Sequence, residues 1–397
     1  MVIWLYNDSQ IRFMSTLPPL TQMMETLVSI PSVSSAQEHL DTSNIEVVHT
    51  LANWLDEFNF RTEIQRLPGN PNKANLIATL GEGDDGLVLS GHTDTVPYDE
   101  HSWRQDPFKL TQHDDRLCGL GSTDMKSFFA LVVEALRSVS LNKLNKPLVI
   151  LATADEESTM DGAKYLLEQQ RALGKYCVIG EPTELKPIRQ HKGIFMESVS
   201  LRGKSGHSSD PDAGNNALEG MHEVIAMLVG YRKQLAERYN NADFIVPIPT
   251  LNLGHIHGGD NANRICGDCE LHYDLRLLPG MDLGSIRQTL RDNILEIAQR
   301  RNLECSLASL FDGVPALSTN EQSHIVKVAE EITGNKSASV VFGTEGPYMT
   351  QLGMETIILG AGSIRVAHQA NEYIEIAQLQ PAIDTYANII KEICLGR

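Results

Sequence analysis

Apolar residues recur along this chain in two periods, and the shift between them divides it. Leu20, Met23, Met24, Leu27 and Val28 fall at helical spacing behind Pro18 and Pro19, which can open a helix. Ile45, Val48, Leu51, Leu55 and Phe58 repeat the pattern. Apolar runs with turn residues beside them predict strands at Arg61–Leu67, Asn75–Leu80 and Leu87–Ser90. Helices are predicted at Phe128–Val139 and Gly162–Leu173, and a short strand at Tyr176–Ile179. Strands alternating with helices indicate an α/β sheet packed on both faces.

At Gly193 the period changes. Ile194–Arg202 alternates apolar and polar residues, as a half-exposed strand does, and Ala217–Tyr239 is a long amphipathic helix. Strands are predicted at Thr250–His257 and Asn263–Leu277, a helix at Leu283–Arg301 and a strand at Leu303–Leu310. This β-α-β-β-α-β order suits a small α+β unit with one exposed sheet face. From Gly313 the α/β pattern returns, with a helix near Glu321–Thr333, a strand at Thr356–Leu359 and a helix at Gln378–Cys394. The reading is an α/β domain made of residues 1–193 and 313–397, interrupted by an inserted α+β domain at residues 194–312.

Within that frame, Leu148–Glu157 (LVILATADEE) is a continuous apolar run that ends in three acids. The run predicts a buried strand of a parallel sheet, and such sheets bind ligands beyond the carboxyl ends of their strands. Three adjacent carboxylates there repel each other unless a cation offsets them, although a solvated turn before a helix would also favour acids. Other predicted strands end in the same way. His92 and Asp94 lie in GHTDT, Asp124 in GSTDMK, Glu181 in GEPT and His368 in AHQANE. Each motif alone is more often a turn or a cap, Asp124 being a natural helix N-cap. Their strength is recurrence at strand ends. Two histidines with several carboxylates suit zinc or cobalt, not calcium. In an extended segment Asp94 shares a face with His92 and can accept the other imidazole N–H. Of Glu156 and Glu157, one can ligate while the other takes a proton from an activated water, and spacing does not say which.

Composition narrows the partners. With 42% hydrophobic and 21% charged residues the chain is an ordinary globular protein, and its net charge of −18 argues against nucleic acid while leaving a cationic substrate open. Cys118, Cys177, Cys266, Cys269, Cys305 and Cys394 are dispersed, which fits a reducing cytoplasm. The CxxC of Cys266 and Cys269 has no second pair nearby and is assigned to a strand, and the HxH pair His255 and His257 is assigned a structural or at most supporting role. No apolar run approaches the ~20 residues of a membrane helix. Met1–Phe13 lacks the pattern of a signal peptide, and Met14 offers a second start.

The ordered series GHTDT, GSTDMK, DEES, GEPT, HKG, SGHSSDP and AHQANEY resembles the M20 family of metal-dependent amidohydrolases and aminoacylases, from about Leu17 onwards. That resemblance implies an α/β metallohydrolase catalytic domain with an inserted α+β (ferredoxin-like) dimerisation or lid domain. It implies two divalent metal ions, zinc or cobalt, with His92 on one, Asp124 bridging both and Glu181 completing the first. Glu157 and His368 would hold the second. Glu156 matches the general base and Asp94 the acid that orients His92, which leaves Asp155 to the turn. A cis peptide is implied after Asp124. His207 matches a histidine placed on the substrate carbonyl, often from a partner subunit, whereas by itself it reads as a surface histidine in a Ser/Gly loop. Asn263, Arg276 and Thr344 match contacts to a substrate α-carboxylate, for which the arginine fork is well suited. Ala361 and Gly346 depart from the family's usual residues. The expected reaction is hydrolysis of N2-acetyl-L-ornithine by a cytoplasmic homodimer. The alternatives are another amidase of the family, acting on succinyl-diaminopimelate or peptides, and a non-catalytic metal-binding scaffold.

Overall fold

The structure, a computed structural model, describes residues 17–396, so the expectations for Met1–Phe13 and Met14 lie outside the described residues. The strands are β1 (Arg61–Leu67), β2 (Asn70–Leu80), β3 (Leu87–His92), β4 (Thr111–His113), β5 (Arg116–Cys118), β6 (Leu148–Thr153), β7 (Tyr176–Pro182) and β8 (Ile188–His191). They continue as β9 (Gly193–Arg202), β10 (Thr250–Gly258), β11 (Asp268–Leu277), β12 (Glu304–Val314), β13 (Leu317–Ser318), β14 (Ala338–Val340), β15 (Glu355–Gly360) and β16 (Tyr373–Glu375).

The large sheet runs β1-β2-β6-β3-β7-β15-β8-β13, with β14 beside β8. It is mixed, which corrects the expectation of a parallel sheet. β6, β3, β7 and β15 are parallel, but β2 joins β6 antiparallel and β8 joins β15 antiparallel. All six residues of β6 are buried. A continuous apolar run reports burial on both faces, not the direction of the neighbouring strand. Ile150 and Ala152 pack with the helices Leu20–Ser29, Ile45–Asp56, Ser127–Leu136, His324–Thr333 and Ile376–Ile390. Val149 and Leu151 face the helices Asp161–Glu168 and Gly346–Gln351 on the other side. The helix predicted to reach Leu173 stops at Glu168, beyond which the backbone turns left-handed at Gln170 (φ 49°). The polar stretch before Asp124 holds the hairpin β4–β5, which pairs with β16.

The small sheet, β10-β11-β9-β12, is antiparallel throughout. Alternate residues of β11 are buried, among them Leu271, Tyr273 and Leu275, against the helices Ala217–Arg238 and Leu283–Arg300. No helix of these covers Glu270, His272, Asp274 and Arg276 on the opposite face, all of which are half-buried. This second core draws only on residues from Phe195 to Leu303. Two expectations fail here. The strand predicted from Asn263 begins at Asp268, so Asn263 and Cys266 lie in the loop before it and only Cys269 of the CxxC is a strand residue. Alternation cannot mark a strand start when the preceding loop also buries Ile265 and Cys266. All six cysteines are free, and no helix among the described residues is long and apolar enough to cross a membrane.

Candidate metal centre

The four parallel strands explain why polar groups far apart in sequence converge, since their carboxyl ends point the same way. His92 ends β3, Asp155–Glu157 follow β6, Glu181 lies near the end of β7, and the loop after β15 carries His368. The approach of β7 to the helix Ser127–Leu136 depends on Gly180, where an added Cβ would stand 2.0 Å from the Phe128 ring.

His92 is buried, with Nε2 3.1 Å from Oδ1 of Asp124 and 3.4 Å from Oε1 of Glu181. The other oxygen of Asp124 is 3.1 Å from Nε2 of His368, which also lies 3.0 Å from Oε1 of Glu157. Asp124 thus offers one oxygen to each histidine, as a bridging ligand must. Two donors about 2.0–2.1 Å from a tetrahedral ion stand about 3.3 Å apart, so these spacings fit the edges of a zinc coordination shell. The ligand atoms of His92, Glu156 and Glu181, and those of His92, Asp124 and Glu157, already lie within 4.8 Å of one another. His368 sits in a left-handed backbone conformation (φ 58°) with its side chain 51% exposed.

The charges show why this centre suits cations. Burial, then Asp124, pushes the Glu181 carboxyl up to about 8, and burial raises Glu156 well above the usual range and Glu157 above it. Burial opposes a charge on His92, but Glu181 and Asp124 outweigh it and hold its pKa well above the usual value. Asp124 and Glu157 raise His368 to about 11. Buried carboxylates in this number need cations or protons, and a divalent ion pair would supply the former. Glu156 differs from its neighbours, because its carboxylate accepts no hydrogen bond from the described residues.

Two expectations about the acids are corrected. The carboxylate of Asp94 does not hold His92: Nδ1 is 3.0 Å from the Asp94 backbone oxygen and 3.7 Å from its Oδ1. Instead that carboxylate accepts the backbone N–H groups of Glu156 and Glu157, at 3.3 and 3.0 Å. Asp94 lies beyond the last residue of β3, where the two-residue period that put it beside His92 no longer applies. Asp155 is more than a turn residue. It is buried at φ 58°, with Oδ1 2.6 Å from Nζ of Lys73 and 3.0 Å from Oγ of Ser34.

Three further residues shape the centre and were not singled out from the sequence. Glu372 is buried and accepts the N–H groups of Gly121 (3.1 Å), Thr123 (2.7 Å) and Asp124 (2.9 Å). Burial, then Asp124, pushes its carboxyl up to about 8. Its one signal was an acid four residues after His368 in AHQANE. Glu345 accepts the hydroxyls of Ser90 (2.5 Å) and Thr153 (2.7 Å) beneath the ends of β3 and β6. Lys126 is buried, its Nζ 2.7 Å from the Ile30 oxygen, and burial pushes it down to about 7. The peptide between Asp124 and Met125 is cis.

The expected substrate contacts do not join this cluster within one chain. His207 is exposed, its Nδ1 accepting from Ser209 Oγ (2.8 Å), and it pairs with Arg264 in an isolated bridge. Asn263, also exposed, accepts the Ser208 N–H at 3.0 Å through its backbone. Arg276 donates through Nε to Asp274 at 3.1 and 3.2 Å. Thr344 is buried, and its N–H donates to Nε2 of His191 at 3.3 Å.

The family model for peptidase family M20/M25/M40 matches residues 88–392. A protein of Pectobacterium atrosepticum named acetylornithine deacetylase is 45% identical over 378 residues, which are 95% of this chain and 98% of that one. Among solved structures, aminopeptidase PepT of Bacillus cereus superposes with a TM-score of 0.75 at 19% identity, covering 94% of this chain and 98% of that one. The Bacillus subtilis YXEP protein, described as a dinuclear metal-binding peptidase, gives 0.64 at 14% identity over 94% and 96%.

Proposed function

The chain belongs to peptidase family M20/M25/M40, and from that premise we propose that it hydrolyses N2-acetyl-L-ornithine to L-ornithine and acetate in arginine biosynthesis. The observation that carries amide hydrolysis is Asp124 held between His92 and His368, at 3.1 Å from each, with Glu156 grouped against His92 and Glu181. The acetyl-ornithine substrate is supported by the near-full-length relative of that name.

His92, Asp124 and Glu181 would hold one divalent ion, and Asp124, Glu157 and His368 a second, zinc or cobalt by donor type. When bound, such a pair supplies Lewis acidity toward the acetyl carbonyl and lowers the pKa of a water. Glu156, buried and with a carboxylate that accepts no hydrogen bond from the described residues, takes a proton from water and passes it to the departing amine. Asp94 fixes the loop that carries both glutamates through their N–H groups. Arg276, Asn263 and Thr344 receive the α-carboxylate of the substrate. His207 stabilises charge developing on the attacked oxygen. Since its hydrogen bonds stay within its own loop, it is assigned to the site of a second copy of the chain, with residues 194–312 as the dimerisation and lid unit and 1–193 with 313–397 as the catalytic unit. Six free cysteines support a cytoplasmic location.

The test is a substrate panel on protein loaded with Zn2+ or Co2+. N2-acetyl-L-ornithine should give the highest kcat/KM. Faster turnover of succinyl-diaminopimelate or dipeptides would move the assignment to another amidase of the family. Metal binding without turnover of any of them would leave a non-catalytic scaffold.

A further inference from the structure

The open face of the small sheet carries three histidines and a carboxylate that the reaction above does not use. Along β10 the register passes from Leu253 opposite Tyr273 to His255 opposite His272. Two residues of β10 therefore span one residue of β11, with Gly254 as the extra residue of a bulge. In an unbroken ladder His255 would stand opposite Leu271 and point with it into the helix-packed core. The bulge turns His255 and His257 outward instead, into the row that holds His272 and Glu270.

The result is two rungs of donors. His255 faces His272, with ring centroids 4.6 Å apart, and His257 faces Glu270. Side chains directly opposite on antiparallel strands have Cβ atoms about 4.5–5.5 Å apart, within reach of one ion. His272 and Glu270 are already in contact, Nε2 to Oε1 at 2.9 Å, and Ser198 Oγ supports the same oxygen at 2.9 Å. His255 and His257 are exposed, free to swing toward that pair. His257 and Glu270 also border a cavity of about 420 Å3 with Ser200, Arg202, Glu304 and Ser306, so water can complete a coordination shell. We propose that His255, His257, His272 and Glu270 form a second metal site, on a different sheet from the strand-end centre, for an ion that prefers imidazole, such as Zn2+, Ni2+ or Cu2+.

Equilibrium dialysis of the full chain against increasing Zn2+, with bound ions counted, tests this. The parent should bind one more ion per chain than His255→Ala/His272→Ala, and both should hydrolyse an amide substrate at the same rate at saturating Zn2+. His257→Ala, which removes one donor of four, should show the same loss. His255→Gln, at an exposed position, should show the same loss of one ion if the double variant does not fold. Equal ion counts in the parent and the His255 variants would overturn the proposal, as would loss of turnover in step with loss of the ion.

Discussion

The strand ends of the large sheet and the open face of the small one both gather histidines and acids, yet they hold them differently. At the strand ends all the groups but His368 are largely buried and fixed from behind. Three backbone N–H groups anchor Glu372 beside Asp124, two anchor Asp94 beside the glutamates, and Lys73 pins Asp155 at the start of the acidic turn. On the open face, Arg276 and His272 make their side-chain hydrogen bonds to other side chains among the described residues, and Asn263 and His207 lie in exposed loops. Burying like charges is unfavourable, so the first region must be organised by folding. The second region stays solvated and can wait for a substrate, an ion or a second copy. Chemistry is therefore expected to fail when the first is altered, and binding when the second is.

The largest expected effect is at Glu156. Glu156→Gln removes the proton acceptor and keeps the shape, so kcat should fall about 10²–10⁴-fold with metal content unchanged. A kcat within tenfold of the parent would take the base role away from Glu156 and remove the main difference drawn between it and its neighbours.

Next comes the organisation of the turn without metal. Lys73 is 1% exposed in the side chain and contacts Asp155 at 2.6 Å and Asp41 at 2.8 Å. Lys73→Met would leave Asp155 buried without its cation, at a cost of about 3–5 kcal/mol in stability measured by denaturation of the metal-free protein. An unchanged midpoint would mean that the acidic turn is held by something other than this pair.

How much of this was legible depended on the kind of signal. Glu156, Glu157, Glu181 and His92 end buried apolar runs, so pattern alone brought them to one edge of the sheet. The small sheet's helix-covered face was legible in the alternation of β9 and β11. Glu372 and Lys73 were not legible, because their partners are backbone groups 248 to 251 residues away in the one case and an acid in another loop in the other. Asp94 was placed beside His92 by a period that stops with the strand. His207 and Asn263 were legible only by resemblance, since a loop histidine carries no periodic signal.

Glu372 gives a smaller effect that tests the backbone anchoring. In Glu372→Gln the oxygen that accepts from Thr123 and Asp124 can remain, but the amide would meet the Gly121 N–H donor to donor. The loop should shift enough to weaken metal binding by about 10–100-fold in chelator competition, as loss of an outer partner of a ligand does. Unchanged affinity with lowered stability would make Glu372 purely structural.

The smallest effect is expected at Arg276, and it sharpens the contrast most. Its Nε is committed to Asp274, and its terminal nitrogens have no hydrogen bond among the described residues. A guanidinium held in this way presents two parallel donors to a carboxylate, whereas an ammonium presents a single point charge. Arg276→Lys keeps the charge and loses the fork, so KM for acetyl-ornithine should rise about tenfold, equal to about 1.4 kcal/mol, with kcat near the parent value. A change confined to KM is what a residue of the solvated face should give, because it holds ground state and transition state alike. If kcat fell while KM stayed constant, Arg276 would be acting on the transition state, and the division of labour between the two sheets would not hold.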